Sequence, residues 1–208
     1  MSAIKESSDE LNPSITVLAN EISTRKQRTA SDYFALAIAT CGVGYFPIAP
    51  GTLGSLVGVL LFLAIRRLTR VLLVPYSFKH QINFFTLQSI ESAVMLVVIL
   101  VVTLGGIWAA SRSESLFRKK DPGEVVIDEV SGQMIALLST SLLIGGVWAV
   151  ISAFILFRAF DIWKPYPIRR LEALESGLGI MLDDVAAGLY AAIVNTILIA
   201  VVGIFFLR

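Results

Sequence analysis

The sequence contains very little cysteine, histidine or net charge, and each shortage excludes a class of protein. Cys41 is the single cysteine, which excludes an internal disulfide and a metal site built from several cysteines. The single histidine, His80, lies in a polar stretch and is expected at the surface. The formal net charge is only +1 at pH 7, so no overall electrostatic field indicates a nucleic-acid partner.

Apolar residues are abundant instead. They make up 56% of the 208 residues, and the mean hydropathy is +0.78. Soluble domains average about 45–50% apolar residues, so this composition indicates a membrane protein. Residues 1–30 are polar, and no apolar segment follows a basic start, so we expect a disordered cytoplasmic tail and not a secretory signal peptide. Residues 31–208 are expected to form one membrane-embedded domain.

The first two apolar segments predict helices separated by a shaped loop. A short helix is expected over residues 31–41, capped by Ser31 or Asp32. Two prolines and several glycines follow, and the next helix is expected to begin at Thr52 with its hydroxyl as the N-cap. Because helix N-termini attract anions, Thr52 is a candidate ligand for a phosphate group.

Further along the chain, long apolar runs predict a multi-pass, all-α membrane bundle. Residues 90–110 form the clearest spanning helix, at about the twenty residues that a bilayer requires. Residues 185–207 are expected to form the last helix. The polar stretches 75–89 and 111–124 are expected to be loops, and the second is basic, which places it in the cytoplasm by the positive-inside rule.

Acidic residues inside apolar sequence are the unusual feature, because charge is costly there unless it serves a purpose. They occur in three separate segments: Asp128 and Glu129, Asp161, and Asp183 and Asp184. If these acids share a site, they must lie at one membrane face, yet only the apolar run 134–157 separates Glu129 from Arg158. We therefore predict that this run is a re-entrant helical hairpin, bent between Ser139 and Gly146, with arms of about eight to twelve residues.

The five acids would repel one another if they clustered alone, and a hard divalent cation such as Mg²⁺ would relieve that repulsion. One of them could instead orient or deprotonate an attacking water. Arg158 and Lys164 would then bind phosphate. Structural alternatives stay open: Asp161 could form an ion pair with either base, and Asp183 and Asp184 could complement the N-terminal dipole of the last helix.

Four ordered segments resemble the phosphatidylglycerophosphatase A family: residues 47–55, 126–132, 157–168 and 177–188. The resemblance implies a bacterial, Mg²⁺-dependent lipid phosphatase that converts phosphatidylglycerophosphate to phosphatidylglycerol. It implies that the essential acids are Asp128, Glu129, Asp161, Asp183 and Asp184. Among these, the expected metal ligands are Asp128, Glu129, Asp161 and Asp184. The bases near the phosphate would be Arg158 and Lys164.

Two departures from the family pattern are visible. The polar tail lies outside the family core, and Glu172 stands nearest to where an aspartate is expected. Covalent alternatives are disfavoured, because a cysteine phosphatase needs an arginine six residues after its nucleophile, and Pro47 occupies that position after Cys41. Asp183 and Asp184 are adjacent, so the Asp-x-Asp pattern of another phosphatase class is absent there.

The expected setting is the bacterial cytoplasmic membrane, with the site facing the cytoplasm, a phospholipid as substrate and no obligate protein partner. The alternative is an ion-coupled transporter that uses intramembrane carboxylates. Such a transporter needs acids near the bilayer midplane, whereas the acids here lie at the ends of apolar runs beside basic loops. The pattern therefore favours the enzyme.

Overall fold

The computed structural model describes residues 28–142 and 146–206, and over these residues the chain is helical without strands. The all-α prediction is therefore confirmed for the described chain, whereas the predicted tail falls almost entirely on residues 1–27, outside the described residues. The helices are α1 (Ala30–Thr40), α2 (Pro50–His80), α3 (Phe84–Phe117), α4 (Ile127–Leu142), α5 (Gly146–Trp163), α6 (Ile168–Leu171) and α7 (Ser176–Phe206).

The start of α1 corrects the predicted cap. Thr29, and neither Ser31 nor Asp32, is the N-cap residue of this helix. The Asp32 backbone N–H donates to Thr29 Oγ1 at 3.3 Å, and the Thr29 N–H donates to Asp32 Oδ2 at 2.8 Å. This reciprocal capping box satisfies two N–H groups that the first helical turn leaves free. Asp32 also pairs with Arg112 Nε at 2.6 Å, which ties α1 to α3.

The loop predicted at 75–89 is mostly helical, and the first half of the loop predicted at 111–124 is helical as far as Phe117, so those boundaries were wrong. Helix α2 continues to His80, which is exposed as expected, and only three residues separate it from the start of α3. Asn83 caps α3 by accepting the Thr86 N–H at 2.8 Å. The predicted boundaries differ from the observed ones because helices here extend beyond their apolar stretches into polar sequence, whereas residues 118–124 form a connection as predicted.

Helix α4 lies at the centre of the bundle, in contact with α2, α3, α5 and α7. Every residue from 130 to 137 is buried. With 16 residues, α4 is about 24 Å long, which is shorter than a bilayer core of about 30 Å. A helix of this kind is stable because neighbouring helices shield its polar groups from lipid.

Helices α4 and α5 form a helical hairpin, as the positions of the acids predicted, and its re-entrant course in the membrane stays a prediction. The start of α4 and the end of α5 line one cavity, so the two arms are antiparallel. The arms have 16 and 18 residues, longer than predicted. Ser139 and Thr140 did not break α4, because their hydroxyls donate to carbonyls of their own helix, Ala136 O at 2.8 Å and Leu137 O at 2.7 Å.

Asn195 of α7 joins both arms of this hairpin. Its Nδ2 group donates to Ser139 Oγ on α4 at 2.8 Å and to the Ala149 carbonyl on α5 at 3.1 Å. Its Oδ1 atom accepts from Ser152 Oγ on α5 at 2.6 Å. Asn195 is fully buried, so these bonds satisfy an amide that would otherwise be costly to place there.

Three of the described helices are long and apolar enough to cross a membrane: α3, α5 and α7. Leu96 and Leu100 are 55% and 57% exposed on one side of α3, and Ile193 and Ile197 are 58% and 59% exposed on α7. Residues four apart lie on one helix face, so each pair belongs to a continuous apolar surface. Such surfaces suit contact with lipid, and the protein is a helical membrane protein.

Helices α4 and α7 approach most closely at two glycines. A Cβ atom added to Gly188 would overlap the carbonyl oxygen of Gly132. A Cβ atom added to Gly132 would in turn lie 2.6 Å from the Asp184 carbonyl oxygen. Small residues allow helix backbones to meet in this way, so this contact fixes the position of α7 against α4.

We expect Gly188→Ala to separate these helices and to lower stability by about 1–3 kcal/mol, the usual cost of overpacking. Gly203→Ala on the same helix is the matched control, because nothing lies within 4 Å of its added Cβ. The measurement is the thermal unfolding midpoint of each variant in one detergent. Equal midpoints for the two variants would contradict the close approach.

Candidate active site

A cavity of about 760 Å³ opens at the end of the bundle where α2, α4 and α7 begin and α3 and α5 end. All five acids singled out from the sequence line it, together with two of the three predicted phosphate ligands: Asp128, Glu129, Asp161, Asp183, Asp184, Arg158 and Lys164. Segments far apart in the sequence therefore meet in one place. The individual roles assigned to these residues stay predictions.

Asp128, Glu129 and Asp184 form the centre of the cavity. Each offers a carboxylate oxygen, and these oxygens lie within 4.8 Å of one another. Asp128 Oδ1 and Glu129 Oε2 are buried without a hydrogen-bond partner. Burial is the main cause, and the negative charge of Glu129 the second, of a pKa of Asp128 well above its ordinary value. Buried hydrogen-bond acceptors are rarely left without a partner. These carboxylate oxygens are also the ligand type that hard divalent cations prefer, so the centre is suited to bind such a cation.

The helix register explains how Asp184 reaches this centre. Helix α7 begins at Ser176, not at residue 185 as predicted, so Asp184 lies in its third turn. This position rules out the alternative that Asp183 and Asp184 complement the N-terminal dipole, which acts within the first turn. The Gly132–Gly188 contact lies one turn further along both helices and holds the acids of α4 and α7 together.

The two remaining acids are neutralised by bases. Arg158 Nη1 lies 2.6 Å from Asp161 Oδ2, one helical turn away on α5. Lys164 Nζ lies 2.9 Å from Asp183 Oδ2 and 3.1 Å from Glu172 Oε1. These pairs match the structural alternative for Asp161, whose role as a metal ligand stays a prediction. The acids at the centre therefore lack a basic partner, while those around them have one.

Lys164 is a permanent cation in this site. Burial of its ammonium group opposes the charge, but the hydrogen bonds and negative charges of Asp183 and Glu172 outweigh it and raise the pKa of Lys164. Helix α5 ends at Trp163, and Lys164 takes a left-handed conformation with φ of 47° before Pro165. The following proline prevents further helix, so the turn directs this base toward the acids of α7.

The start of α2 differs from the prediction at Thr52. The N-cap residue is Ala49, and the Thr52 N–H donates to the Ala49 carbonyl at 3.0 Å, so Thr52 is inside the helix and not its cap. Thr52 is not among the residues that line the cavity, whereas Ala49 and Gly51 are. A Cβ atom on Gly51 would overlap Glu129 Oε1. The N-terminus of α2 therefore lies at the cavity, and the helix begins at Pro50, two residues before the predicted start.

Sequence reasoning assigned no role to several residues in or beside the cavity. Ser55 Oγ lies 3.5 Å from Arg158 Nη1, at the limit of a hydrogen bond, and Ser55 is fully buried. Glu172, which stood where the family pattern had an aspartate, binds Lys164. Lys120 and Arg169 also line the cavity. Basic residues in polar connections are common at any membrane surface, so the sequence carried no signal that separated these two from their neighbours.

Comparison with known proteins assigns this arrangement to a family. A family sequence model described as phosphatidylglycerophosphatase A matches residues 36–199. A Bacteroides thetaiotaomicron protein with the provisional name phosphatidylinositol-3-phosphatase is 38% identical over 162 residues, which cover 78% of this chain and 91% of that protein.

Two further relatives are named phosphatidylglycerophosphatase A. The Haemophilus influenzae protein is 35% identical over 154 residues, covering 74% of this chain and 80% of the relative. The Escherichia coli protein is 28% identical over 174 residues, covering 83% and 86%. No solved structure matches the chain at a significant level.

The carboxylate centre predicts divalent-cation binding that depends on Asp128. We expect Asp128→Asn to weaken Mn²⁺ binding by at least about tenfold, because it removes one charged oxygen ligand. The measurement is a paramagnetic titration of the detergent-solubilised protein. Glu175→Gln, an exposed carboxylate outside the cavity, is the control. Equal affinity in both variants would remove Asp128 from the ligand set.

Proposed function

Because the chain belongs to the phosphatidylglycerophosphatase A family and is a phosphatase, we propose that its substrate is phosphatidylglycerophosphate. Water is consumed, the terminal phosphate monoester is cleaved, and phosphatidylglycerol and inorganic phosphate are released. One observation supports this assignment to the cavity: three clustered carboxylates without basic partners lie beside two bases in a single cavity at the end of a membrane bundle.

Mg²⁺ is the cofactor that we propose. It prefers oxygen ligands and binds through one or two carboxylates together with water and substrate phosphate. The residues that would hold it are Asp128, Glu129 and Asp184, whose buried oxygens fit a hard cation. When bound, such an ion supplies charge stabilisation to the phosphoryl group and acidity to a bound water.

The bases of the site hold the phosphate. Arg158 has a planar, forked set of donors that matches phosphate oxygens, and its pairing with Asp161 orients it before substrate arrives. Lys164, held by Asp183, supplies a point charge as the leaving alkoxide develops. The attacking group is water, or an aspartate whose phosphoryl ester water then hydrolyses. In either case the leaving oxygen takes up a proton to become the product hydroxyl.

The transporter alternative is not favoured by this arrangement. A transporter needs charged groups along a route between the two membrane faces. Here the clustered acids lie at one end of the bundle. Glu91, a buried acid far from them along α3, is neutralised by Arg66 at 2.6 Å and Arg70 at 3.0 Å.

Phosphate release tests the function directly. We expect the purified protein to release phosphate from phosphatidylglycerophosphate in the presence of Mg²⁺. Phosphate release should stop when EDTA is added. Asp184→Asn should lower the rate by at least about a hundredfold, because it removes charge from the reacting centre. It should remain folded, because it also removes repulsion among buried acids. Full activity in this variant would exclude Asp184 from the reaction.

A panel of lipid phosphates separates the substrate candidates. It includes a 3-phosphorylated phosphatidylinositol, because one relative's provisional name points to that lipid. Faster release from that lipid would replace the proposed substrate and leave the phosphatase chemistry intact. Cation flux into liposomes without any lipid hydrolysis would contradict the proposal altogether.

We also propose that the protein resides in the bacterial inner membrane with the cavity facing the cytoplasm. The connections around the cavity carry several bases, and cytoplasmic loops are enriched in lysine and arginine. The native thiol is a weak competitor for labelling, because burial, and next the charge of Glu129, raise the pKa of Cys41 to about 11.

Single cysteines test this orientation. Lys119→Cys and Arg170→Cys, each in a Cys41→Ala background, should both resist a membrane-impermeant maleimide in intact spheroplasts. Both should react after permeabilisation, because the proposed cytoplasmic face then becomes accessible. Labelling of either cysteine from outside would contradict the orientation, and labelling of only one would contradict a shared face for α4 and α5.

A further inference from the structure

Four bases line the cavity, and they fall into two kinds. Arg158 and Lys164 are paired with acids, as described above. Lys120 and Arg169 are exposed, and neither forms an ion pair with a carboxylate within the described chain. Asp121 also lines the cavity beside Lys120 without pairing with it. Two positive charges therefore face the cavity uncompensated.

The backbone directs these two side chains, and not their neighbours, toward the cavity. Lys119 and Arg170 have the same charges but do not line it. Arg170 instead lies over the Tyr166 ring, 5.0 Å from its centroid. Near Lys120, Asp121 adopts a φ of 47°, and its N–H donates to Glu114 Oε1 at 3.2 Å, which fixes the turn. The selection of one base from each adjacent pair is thus a property of the fold.

The second pair of bases is carried by different elements from the central carboxylates. Asp128 and Asp184 belong to the helices α4 and α7. Lys120 lies in the connection between α3 and α4, and Arg169 lies in the short helix α6 between α5 and α7. Because these connections join the ends of membrane helices, their bases lie at the level of lipid headgroups.

We propose that Lys120 and Arg169 form a second anion subsite, which binds the phosphodiester of a phospholipid whose headgroup also carries a phosphate monoester. This inference rests on the proposed function and specifies the substrate class. Such a lipid has two anions: the monoester to be cleaved, and the diester that links the headgroup to diacylglycerol. With the monoester at the carboxylate centre, the diester stays at headgroup level, where Lys120 and Arg169 lie. Phosphatidic acid has only the monoester and gains nothing from this subsite.

Direct binding tests the subsite without turnover. Short-chain phosphatidylglycerophosphate and phosphatidic acid are titrated, in neutral detergent with saturating Mg²⁺, into protein that carries Asp184→Asn, which slows turnover while the cation is present. We expect Lys120→Ala and Arg169→Ala each to weaken binding of the first lipid by about three- to tenfold, the effect of losing one exposed charge contact. Binding of phosphatidic acid should be unchanged. Lys119→Ala and Arg170→Ala are the matched controls and should leave both affinities unaltered.

Kinetics with Mg²⁺ provide the second readout. The subsite predicts a rise in KM for phosphatidylglycerophosphate in Lys120→Ala and Arg169→Ala with kcat nearly unchanged, because the diester is bound equally in ground and transition states. Equal weakening for both lipids, or no difference from the controls, would overturn the subsite. If the effect appears only when anionic bilayer lipid is added, the bases bind membrane lipid instead of substrate, which also overturns it.

The two levels of the proposal fail separately. Phosphate release without any difference between the cavity bases and their controls would leave the function intact and remove the subsite. Selective weakening of binding in Lys120→Ala and Arg169→Ala, without phosphate release by the unmodified protein, would retain the subsite and remove the function.

Discussion

Mutual repulsion among Asp128, Glu129 and Asp184 is the constraint on which the arrangement of the bundle depends. Like charges brought together under burial destabilise a fold unless an opposite charge compensates them. Bases compensate only the outer acids, so the inner three retain the capacity to attract a cation. The glycine contact one turn away lets α4 and α7 approach closely, which brings their acids near one another. The glycine contact and the carboxylate cluster therefore depend on the same packing of α4 against α7.

The central position of α4 follows from its combination of acidic and apolar residues in a short helix. A helix with two acids in its first turn is poorly suited to face lipid there, and a helix of 16 residues is shorter than the bilayer core. Four neighbouring helices surround it, so its polar groups contact protein. The longer helices α3 and α7 present the apolar surfaces that meet the lipid. The bundle thereby encloses a polar, carboxylate-lined cavity at one end while its outer helices present apolar surfaces.

Much of this was visible in the sequence, because charge inside apolar segments is a strong signal. The acids at positions 128, 161 and 184 were expected to meet at one face, and they line one cavity. Helix boundaries were less predictable, since polar residues beyond the bilayer core continue helices as readily as they form loops. Thr52 was misplaced because Pro50 begins the helix two residues earlier. Partners such as Lys164 and Glu172 depend on a turn whose path only the folded chain reveals.

The hydrogen bonds that join Asn195 to both arms of the hairpin have a consequence for biogenesis. Ser139 and Ala149 leave the ribosome well before the amide that bonds to them, because Asn195 lies some fifty residues further along. Until α7 enters the bilayer, the hairpin of α4 and α5 lacks both these hydrogen bonds and the helix against which Gly132 packs. The carboxylates of α4 and α7 therefore come together only after α7 has inserted beside the hairpin.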